Sequence, residues 1–429
     1  MRSRARENAV CVFLAAAASA TMAWLGLYGF AWNDYDTEAR PAFEALVHGH
    51  PVSFLQLAPA YGGSLVERAP FALLPGLWGG GQLAVYRMVA LPCLLAAAAL
   101  GVWLVAQLRA REDRSTLARA VALGICVANP LTLRALELGH PEELLGGVLC
   151  VAAVLLAANE RPLWAGLALG LAIANKEWAL LAVGPVLLAL PSRRALCMAS
   201  AGAVAALVLA PLALIGSSGF VASTRGAAAP PSTIFQPWQI FWFLGHHGDV
   251  VRGLFGVVKP GYRTAPTWVG MISHPLILAA AVPLTTLLWR RERGRLAARS
   301  GRDERSRADA LLLLALLLLL RCVLDTWDTV YYPIPFVLAL LAWESLGAQR
   351  RPAVLALSST VLAWISFQWL PLHVSADAQA AFFLAWSLPL AAVLGLSLYA
   401  PGLRSRLSRR GRADQETTVS SLGSRLRTS

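Results

Sequence analysis

Long apolar runs separated by short polar segments occupy most of the chain. The runs cover approximately residues 10–31, 82–108, 117–134, 141–158, 162–176, 177–191, 195–216, 268–289, 308–324, 331–347, 353–370 and 380–399. Most match the roughly 20 residues that an α-helix needs to cross a bilayer, but 162–176 and 177–191 are shorter and could be tilted, broken or half-inserted. Because only helices and closed barrels satisfy the backbone in lipid, the pattern predicts an all-α polytopic membrane protein with about twelve transmembrane helices.

Composition and charge agree with this class of protein. The chain is 57% hydrophobic and 14% charged, against about 25% charged residues in a typical soluble domain. Its net charge is +13. Most of the arginines fall in segments that alternate with the long loops 32–81 and 217–267, which is the positive-inside pattern. We therefore expect one membrane domain over 1–400 in the plasma membrane, both termini in the cytoplasm, and the two long loops on the extracytoplasmic side.

The two ends of the chain are basic, and neither contains a candidate catalytic residue. Residues 401–429 predict a basic cytoplasmic tail, and their lack of aromatic side chains argues against nucleic-acid binding. The first apolar run follows three arginines and is longer than a usual signal-peptide core, so we interpret it as an uncleaved signal anchor. Small residues at 16–20 leave cleavage open as an alternative.

Acidic residues gather where the first apolar run ends. Asp34, Asp36 and Glu38 lie within five residues, followed by a segment with helical spacing of apolar positions. Carboxylates at the border between lipid and water would suit a membrane enzyme that needs a base there. This stretch, residues 32–49, is the predicted start of an active site.

Further polar residues lie in the first long loop or at the predicted outer ends of later spans, and most of them have two interpretations. Arg68 could form a surface ion pair with Glu67 or bind a phosphate. Glu142 and Glu143 follow His140 and Pro141, where acids complement a helix dipole or contact a substrate. Lys176 could pair with Glu177 or snorkel, or it could contact a lipid-linked phosphate. Arg321 and Asp325 are four residues apart and could pair along one helix.

The long loops are expected to carry helices that lie in the membrane plane. Residues 54–57 and 71–78 are candidates in the first loop, with Trp78 as an anchor at headgroup level. In the second loop Phe235, Trp238, Phe241 and Trp242 share one helical face and predict an interfacial helix. His246, His247 and Asp249 lack the spacing of a metal site, so we expect no metal there.

Four motifs resemble the glycosyltransferase C (GT-C) superfamily of membrane glycosyltransferases, and are most similar to the bacterial polyprenyl-phosphate-mannose-dependent mannosyltransferases. They are Asp34-Tyr35-Asp36, the segment 42–51 (AFEALVHGHP), Gly139-His140-Pro141-Glu142 and Lys176. The similarity covers about the first 215 residues in order. The Gly139 turn departs from the Gly-Gln-x-Asn expected there, which leaves the donor or acceptor preference open.

The resemblance implies transfer of a sugar such as mannose or arabinose from a polyprenyl-phosphate donor to a lipid or glycan acceptor, with inversion. Asp34 would be the general base, and Asp36 the alternative base or a metal or acceptor ligand. Arg68, Lys176 and Arg321 would hold the donor phosphate. The substrate-binding candidates are Glu38, Tyr61, His140, Glu142, Glu143 and Asp325. No cofactor is expected, although a divalent cation is possible.

Other functions fit parts of the pattern. A transporter or flippase would place ionisable residues near the bilayer midplane and show paired repeats. Here the ionisable residues collect at one face, and no inverted repeat is evident. A noncatalytic scaffold would not need the carboxylate cluster, and an enzyme that transfers a whole lipid-linked oligosaccharide would share it.

Overall fold

The computed structural model describes residues 2–28, 34–110, 116–216, 235–252, 257–296, 304–346 and 352–400, and these are mainly helical. The helices are α1 Arg2–Tyr28, α2 Asp34–Glu38, α3 Arg40–Val47, α4 Pro51–Gln56, α5 Gly62–Ala72, α6 Gln82–Ala110, α7 Thr116–Val127, α8 Pro130–Leu138, α9 Glu142–Ala158, α10 Pro162–Asn175, α11 Val183–Ala189, α12 Arg194–Ile215, α13 Thr267–Leu296, α14 Glu304–Leu324, α15 Pro333–Leu346, α16 Val354–Trp364 and α17 Ala376–Tyr399. The predicted tail, 401–429, lies outside the described residues.

Within the described residues, seven helical segments are long and apolar enough to cross a membrane. They are Ala9–Gly26, Gln82–Ala110, Thr116–Leu138, Arg194–Ile215, Thr267–Arg291, Val354–Leu372 and Ala376–Tyr399. Pro162–Asn175, Glu177–Ala189 and Pro333–Leu346 are shorter apolar helices. The chain is thus an all-helical multi-pass membrane protein, and the figure of twelve spans stays a prediction.

The interior of the bundle is built from its most uniformly apolar helices. α9 packs against α6, α10, α11, α14 and α15. All residues of α15 except Trp343 and Glu344 are buried. By contrast, α12 leaves apolar side chains such as Leu207 and Leu214 exposed. A helix that is apolar all round suits either a buried position or contact with lipid, and the structure contains both cases.

The first long loop is mostly helical. Helices α2 to α5 are followed by a 3₁₀ helix, Leu74–Trp78, which ends at Gly79 in a left-handed conformation with φ 71°. Phe54 in α4 is buried, whereas Leu77 and Trp78 are 82% and 58% exposed. Three glycines separate the exposed pair from the start of α6, where a candidate membrane span begins.

Residues 235–244 of the second long loop do not form the interfacial helix that their aromatic spacing predicted. Residues 235–252 form turns, with only the 3₁₀ helix Trp242–Leu244. Pro237 cannot donate a backbone hydrogen bond. The backbone N–H groups of Gln236 and Ile240 instead donate to carbonyl oxygens at and beyond the end of α14. The predicted aromatic face is buried inside the protein: Trp238, for example, packs against Phe367.

Candidate active site

A glycine turn joins the first acidic stretch to the start of α9. Gly139 has φ +93°, a conformation that favours glycine. A Cβ added there would lie 2.6 Å from the backbone nitrogen and the Cβ of Tyr35. The ring of Tyr35 in turn contacts that of Tyr86 of α6 at a tilt of 39°, with ring centroids 4.4 Å apart. Helix α2 therefore docks closely on this turn, which places Asp34 beside the residue that follows the glycine.

That residue is His140, which contacts two carboxylates. Its Nε2 lies 3.3 Å from Asp34 Oδ2, and its Nδ1 lies 2.8 Å from Glu142 Oε1. Burial alone would lower the pKa of His140, but the charge of Glu142 and the hydrogen bonds to Asp34 and Glu142 raise it to about 9. The imidazole is therefore a cation at neutral pH, held between the two acids.

Asp34 is the more open of the two aspartates in α2. Its side chain is 31% exposed, and its Oδ1 has no hydrogen-bond partner among the described residues. Asp36 is 12% exposed and forms an ion pair with Arg40 at 2.8 Å. The carboxylate of Asp34 is thus free to accept a further hydrogen bond, whereas that of Asp36 already has a cationic partner four residues away.

The two glutamates at the start of α9 are fully buried and face several cations. Glu142 lies 3.5 Å from Arg68 and 3.2 Å from Lys176, and Glu143 lies 3.0 Å from the same lysine. An unpaired buried carboxylate would cost several kcal/mol of desolvation, and these contacts offset that cost. Arg68 does not form the surface pair with Glu67 that was one interpretation of the sequence, since its side chain is buried and directed at α9.

Lys176 reaches this cluster because the helix before it ends. α10 stops at Asn175, and Lys176 has an extended backbone, φ −156° and ψ 140°, before a 3₁₀ helix begins. Asn175 Nδ2 donates to the Glu142 carbonyl oxygen at 2.9 Å. Gly63 of α5 packs against the Ala174 carbonyl so closely that a Cβ there has no room. The two short predicted spans therefore meet at a break that lines the site.

Arg321 enters from α14 and completes the charge cluster. Its guanidinium donates to both oxygens of Glu143 at 3.3 and 3.4 Å, and it stacks on the rings of Trp178 and Tyr332. The predicted pairing of Arg321 with Asp325 is replaced by other contacts. Asp325 lies 3.2 Å from His274 and accepts from the Trp327 backbone N–H. Asp325 is therefore on the rim of the cluster and not a ligand of Arg321.

The remaining candidates also lie near this cluster. Tyr61 donates its hydroxyl to Glu38 at 2.7 Å, and its ring lies 4.7 Å from Lys176 Nζ. Every candidate from the sequence thus belongs to one connected region, apart from Asp36, which faces Arg40, and Asp325, which pairs with His274. Within the described residues no group of His, Cys, Asp or Glu is arranged to hold a metal ion.

Sequence reasoning missed some residues of this region. Tyr331 lies with its ring centroid 4.4 Å from that of His140. Asp328 is completely buried, its carboxylate forms no ion pair or side-chain hydrogen bond within the described residues, and burial raises its pKa well above the usual range. Glu67 is also largely buried, which raises its pKa to about 8 despite the neighbouring Arg68. The Asp-x-x-Asp-x-x-Tyr-Tyr sequence after α14 was a usable signal for Tyr331 and Asp328.

Comparison with protein families identifies the class of enzyme. The model of glycosyltransferase family 87 matches residues 62–320, more than half of the chain. The chain belongs to glycosyltransferase family 87. This is a GT-C-type family of membrane glycosyltransferases, so the resemblance seen in the sequence is confirmed at that level. No match was found among curated proteins or solved structures.

The family 87 match covers the cation cluster but not the acidic stretch. Arg68, His140, Glu142, Glu143 and Lys176 lie inside residues 62–320, and Arg321 is the next residue after them. Asp34 lies before the matched region, and it is connected to that region through His140. The charge cluster at the start of α9 is thus built almost wholly from the segment that the family model matches.

Proposed function

We propose that this family 87 enzyme transfers a sugar, mannose or a similar residue such as arabinose, from a polyprenyl-phosphate donor to a lipid or glycan acceptor on the extracytoplasmic side of the plasma membrane. The observation that carries the proposal is the contact between Asp34 and His140. It puts a partly exposed carboxylate, with one oxygen free, directly beside a buried group of cations.

In the proposed reaction Asp34 is the general base. Its free oxygen takes the proton of an acceptor hydroxyl while that hydroxyl oxygen attacks the anomeric carbon of the donor. The bond from the anomeric carbon to the phosphate oxygen breaks, and its electron pair leaves with the polyprenyl phosphate. Attack from the face opposite the leaving group inverts the anomeric configuration.

The cation cluster matches the charge that this reaction develops. A polyprenyl-phosphate sugar is a phosphodiester with one negative charge, and the released phosphomonoester carries about −1.5 to −2 at pH 7. Within the described residues, the ion pairs of Arg68, Lys176 and Arg321 go to two carboxylates, Glu142 and Glu143, so these five side chains together carry one positive charge in excess. Because the negative charge on the phosphate grows as the bond to the sugar breaks, this excess stabilises the transition state more than the bound substrate. Catalysis requires such a difference.

The three cations differ in access to a ligand. The side chain of Lys176 is 11% exposed, compared with 3% for Arg68 and 5% for Arg321. We therefore assign the direct phosphate contact to Lys176. The two arginines hold Glu142 and Glu143 in place and add charge from behind. His140 orients Asp34, and Glu38 and Tyr61 are placed to contact sugar hydroxyls.

Asp36 is the weaker candidate for the base. Its carboxylate is 12% exposed and already bonded to Arg40, whereas that of Asp34 is 31% exposed and has an oxygen that can accept a further hydrogen bond. It remains a candidate ligand for the acceptor or for a divalent cation.

The test is a transfer assay with the complete protein. Membranes that contain the overexpressed chain are incubated with polyprenyl-phosphate mannose or polyprenyl-phosphate arabinose labelled in the sugar, and lipid and glycan products are separated. Label in a new glycolipid or glycan, absent with an Asp34→Ala variant expressed at the same level, supports the proposal. Label that only crosses the membrane unchanged would favour transport instead.

A further inference from the structure

Two adjacent tyrosines that the proposed reaction does not use lie in the turn between α14 and α15. The ring centroids of Tyr331 and Tyr332 are 5.5 Å apart, at an angle of 64°. Each ring contacts a different cationic side chain: Tyr332 lies 4.1 Å from Arg321 Cζ, and Tyr331 lies 4.4 Å from the ring centroid of His140. The Tyr331 carbonyl oxygen accepts from the Ile334 backbone N–H at 3.1 Å, which ties the turn to the start of α15. Both tyrosines are thus parts of the charge cluster.

The ring of Tyr331 packs against the imidazole that contacts the proposed base. The two rings are tilted by 35°, and a second tyrosine, Tyr61, meets the same imidazole edge-on at 5.8 Å. A cation next to an aromatic face is attracted by the ring quadrupole, and His140 is protonated at neutral pH. Tyr331 therefore helps to keep His140 in the orientation in which its Nε2 meets Asp34. One imidazole separates this tyrosine from the proposed base.

The hydroxyl of Tyr331 has no protein partner, although the ring is almost wholly buried. Tyr331 is 8% exposed, and its accessible surface includes the hydroxyl oxygen. Within the described residues this hydroxyl forms no hydrogen bond. Buried tyrosine hydroxyls usually find a partner, as that of Tyr61 does in Glu38. An accessible hydroxyl on a fixed ring, without such a partner, is available to a ligand.

The groups around that hydroxyl belong to both ends of the proposed reaction. Burial raises the pKa of Tyr331 well above its usual range, and the charges of Asp34 and Glu143 add to this effect. Asp34 is the proposed base, and Glu143 holds Lys176, the proposed phosphate ligand. The hydroxyl is therefore neutral at physiological pH, so it retains the proton that a hydrogen-bond donor needs.

The sugar that is transferred has to lie in the same region. In the proposed reaction its anomeric carbon is attacked by the acceptor oxygen at Asp34 and releases the phosphate at Lys176. The sugar ring accordingly occupies the space between these two residues, which are joined through His140 and Glu142. Tyr331 packs on this connection. Precisely placed polar groups, tyrosine hydroxyls among them, are what fixes the orientation of a small ligand.

We propose that the Tyr331 hydroxyl donates a hydrogen bond to a hydroxyl group of the transferred sugar and thereby contributes to the selection of that sugar. The inference rests on the proposed glycosyl transfer and adds a sugar contact to it. The ring oxygen of the sugar is not the partner, because positive charge develops there as the glycosidic bond breaks. The same side chain thus contacts the sugar with its hydroxyl and supports His140 with its ring.

The test measures how the full chain, in membranes that contain its own acceptors, selects between two donors. One donor is polyprenyl-phosphate mannose or arabinose, whichever the wild type transfers, and the other is an analogue that lacks one sugar hydroxyl. The two sugars carry different isotopes and compete in one tube. The ratio of products then gives the ratio of kcat/KM and does not depend on how much of a variant is folded.

We expect the wild type to prefer the parent sugar over each analogue whose missing hydroxyl is bound. Tyr331→Phe should reduce the preference over one analogue about three- to tenfold, the usual contribution of one neutral hydrogen bond, and leave the others unchanged. Tyr262→Phe is the matched control. It also removes a phenol hydroxyl, but Tyr262 contacts Trp242 and Lys259 in the second long loop. This variant should keep the wild-type preferences.

The pattern of preferences separates a sugar contact from a purely structural role. A lower rate of Tyr331→Phe with all wild-type preferences retained would overturn the proposal, because loss of packing alone does not change the choice between two competing donors. A wild type without preference for the parent sugar over any analogue would overturn it as well. Wild-type protein that transfers neither mannose nor arabinose would instead count against the proposed function, and the sugar contact would fall with it.

Discussion

His140 Nε2 lies 3.3 Å from Asp34 Oδ2 and joins two residues that are 106 positions apart in the chain. The contact couples the acidic stretch after α1 to the start of α9. On its other side the same imidazole meets Glu142, which in turn contacts Arg68 and Lys176. A base and a set of cations are thereby parts of one hydrogen-bonded group, and the predictions on Gly139, Glu142, His140 and Asp34 each perturb one part of it.

The first prediction concerns the close packing at Gly139. In Gly139→Ala the new Cβ collides with Tyr35 and the backbone is strained at φ +93°, so α2 must move and Asp34 with it. Transfer activity should fall at least about tenfold, because a small misplacement of a catalytic group is costly. Gly49→Ala is the control, since Gly49 also has a positive φ, +80°, but has open space around it. Similar activity in the two variants would contradict this role of the turn.

The buried pairs at the start of α9 predict a strong effect on stability. Glu142→Gln removes the charge that faces Arg68, Lys176 and His140, and breaking a buried ion pair typically costs about 3 to 5 kcal/mol. Glu137→Gln should cost less than about 1 kcal/mol, because its pair with Arg134 is about one third exposed. Thermal unfolding of both variants in the same detergent measures the difference, and equal midpoints would refute the assignment.

The raised pKa of His140 predicts a pH dependence of stability. The folded protein holds the proton more tightly than the unfolded chain, whose histidine has a pKa near 6.5. The stabilisation is therefore fully present below about pH 6.5 and is lost as the pH rises through about 9. The unfolding temperature of the wild type should fall over this interval, and His140→Gln should show a smaller fall. Asp34, Glu142 and Lys176 face the ring and set the shift. Parallel pH profiles of the two proteins would mean that His140 is not charged there.

Much of this arrangement was predictable from the sequence. The distribution of basic residues predicts that four polar residues at the ends of apolar runs lie on one side of the membrane: Asp34, His140, Lys176 and Arg321. Side chains at the same end of a helix bundle share one surface, so the sequence predicts the region in which they meet. Helix ends are strong features of a sequence because polar residues there interrupt long apolar runs.

The partners of these residues were not predictable, because they depend on how each helix is rotated. Arg68 forms an ion pair with Glu142 and not with its neighbour in the chain, Glu67. Asp325 pairs with His274 of another helix and not with Arg321. Residues 235–244 have helical spacing, yet the backbone N–H groups of Gln236 and Ile240 donate to carbonyl oxygens at and beyond the end of α14. Tertiary packing determines both the ion-pair partners and the conformation of residues 235–244, and it leaves no periodic signal in the sequence.

The proposed orientation in the membrane predicts which loops react with a reagent outside the cell. Leu57→Cys, half exposed in the first long loop, should react with a membrane-impermeant maleimide in intact cells. Glu160→Cys, in the exposed turn between α9 and α10, should react only after the membrane is permeabilised. The native cysteines are all buried and give a low background. Labelling with the opposite preference would place the candidate site in the cytoplasm.

The central claim is that Asp34, held by His140, is the base for sugar transfer. It is tested most directly by comparing the rates of Asp34→Asn and Asp36→Asn with the purified, reconstituted protein and a labelled polyprenyl-phosphate sugar. The account predicts that Asp34→Asn loses roughly 10²-fold to 10⁴-fold in kcat, the usual contribution of a general base, and that Asp36→Asn stays within about tenfold of wild type. An Asp34→Asn enzyme that retains wild-type kcat, or a larger loss in Asp36→Asn, would contradict it.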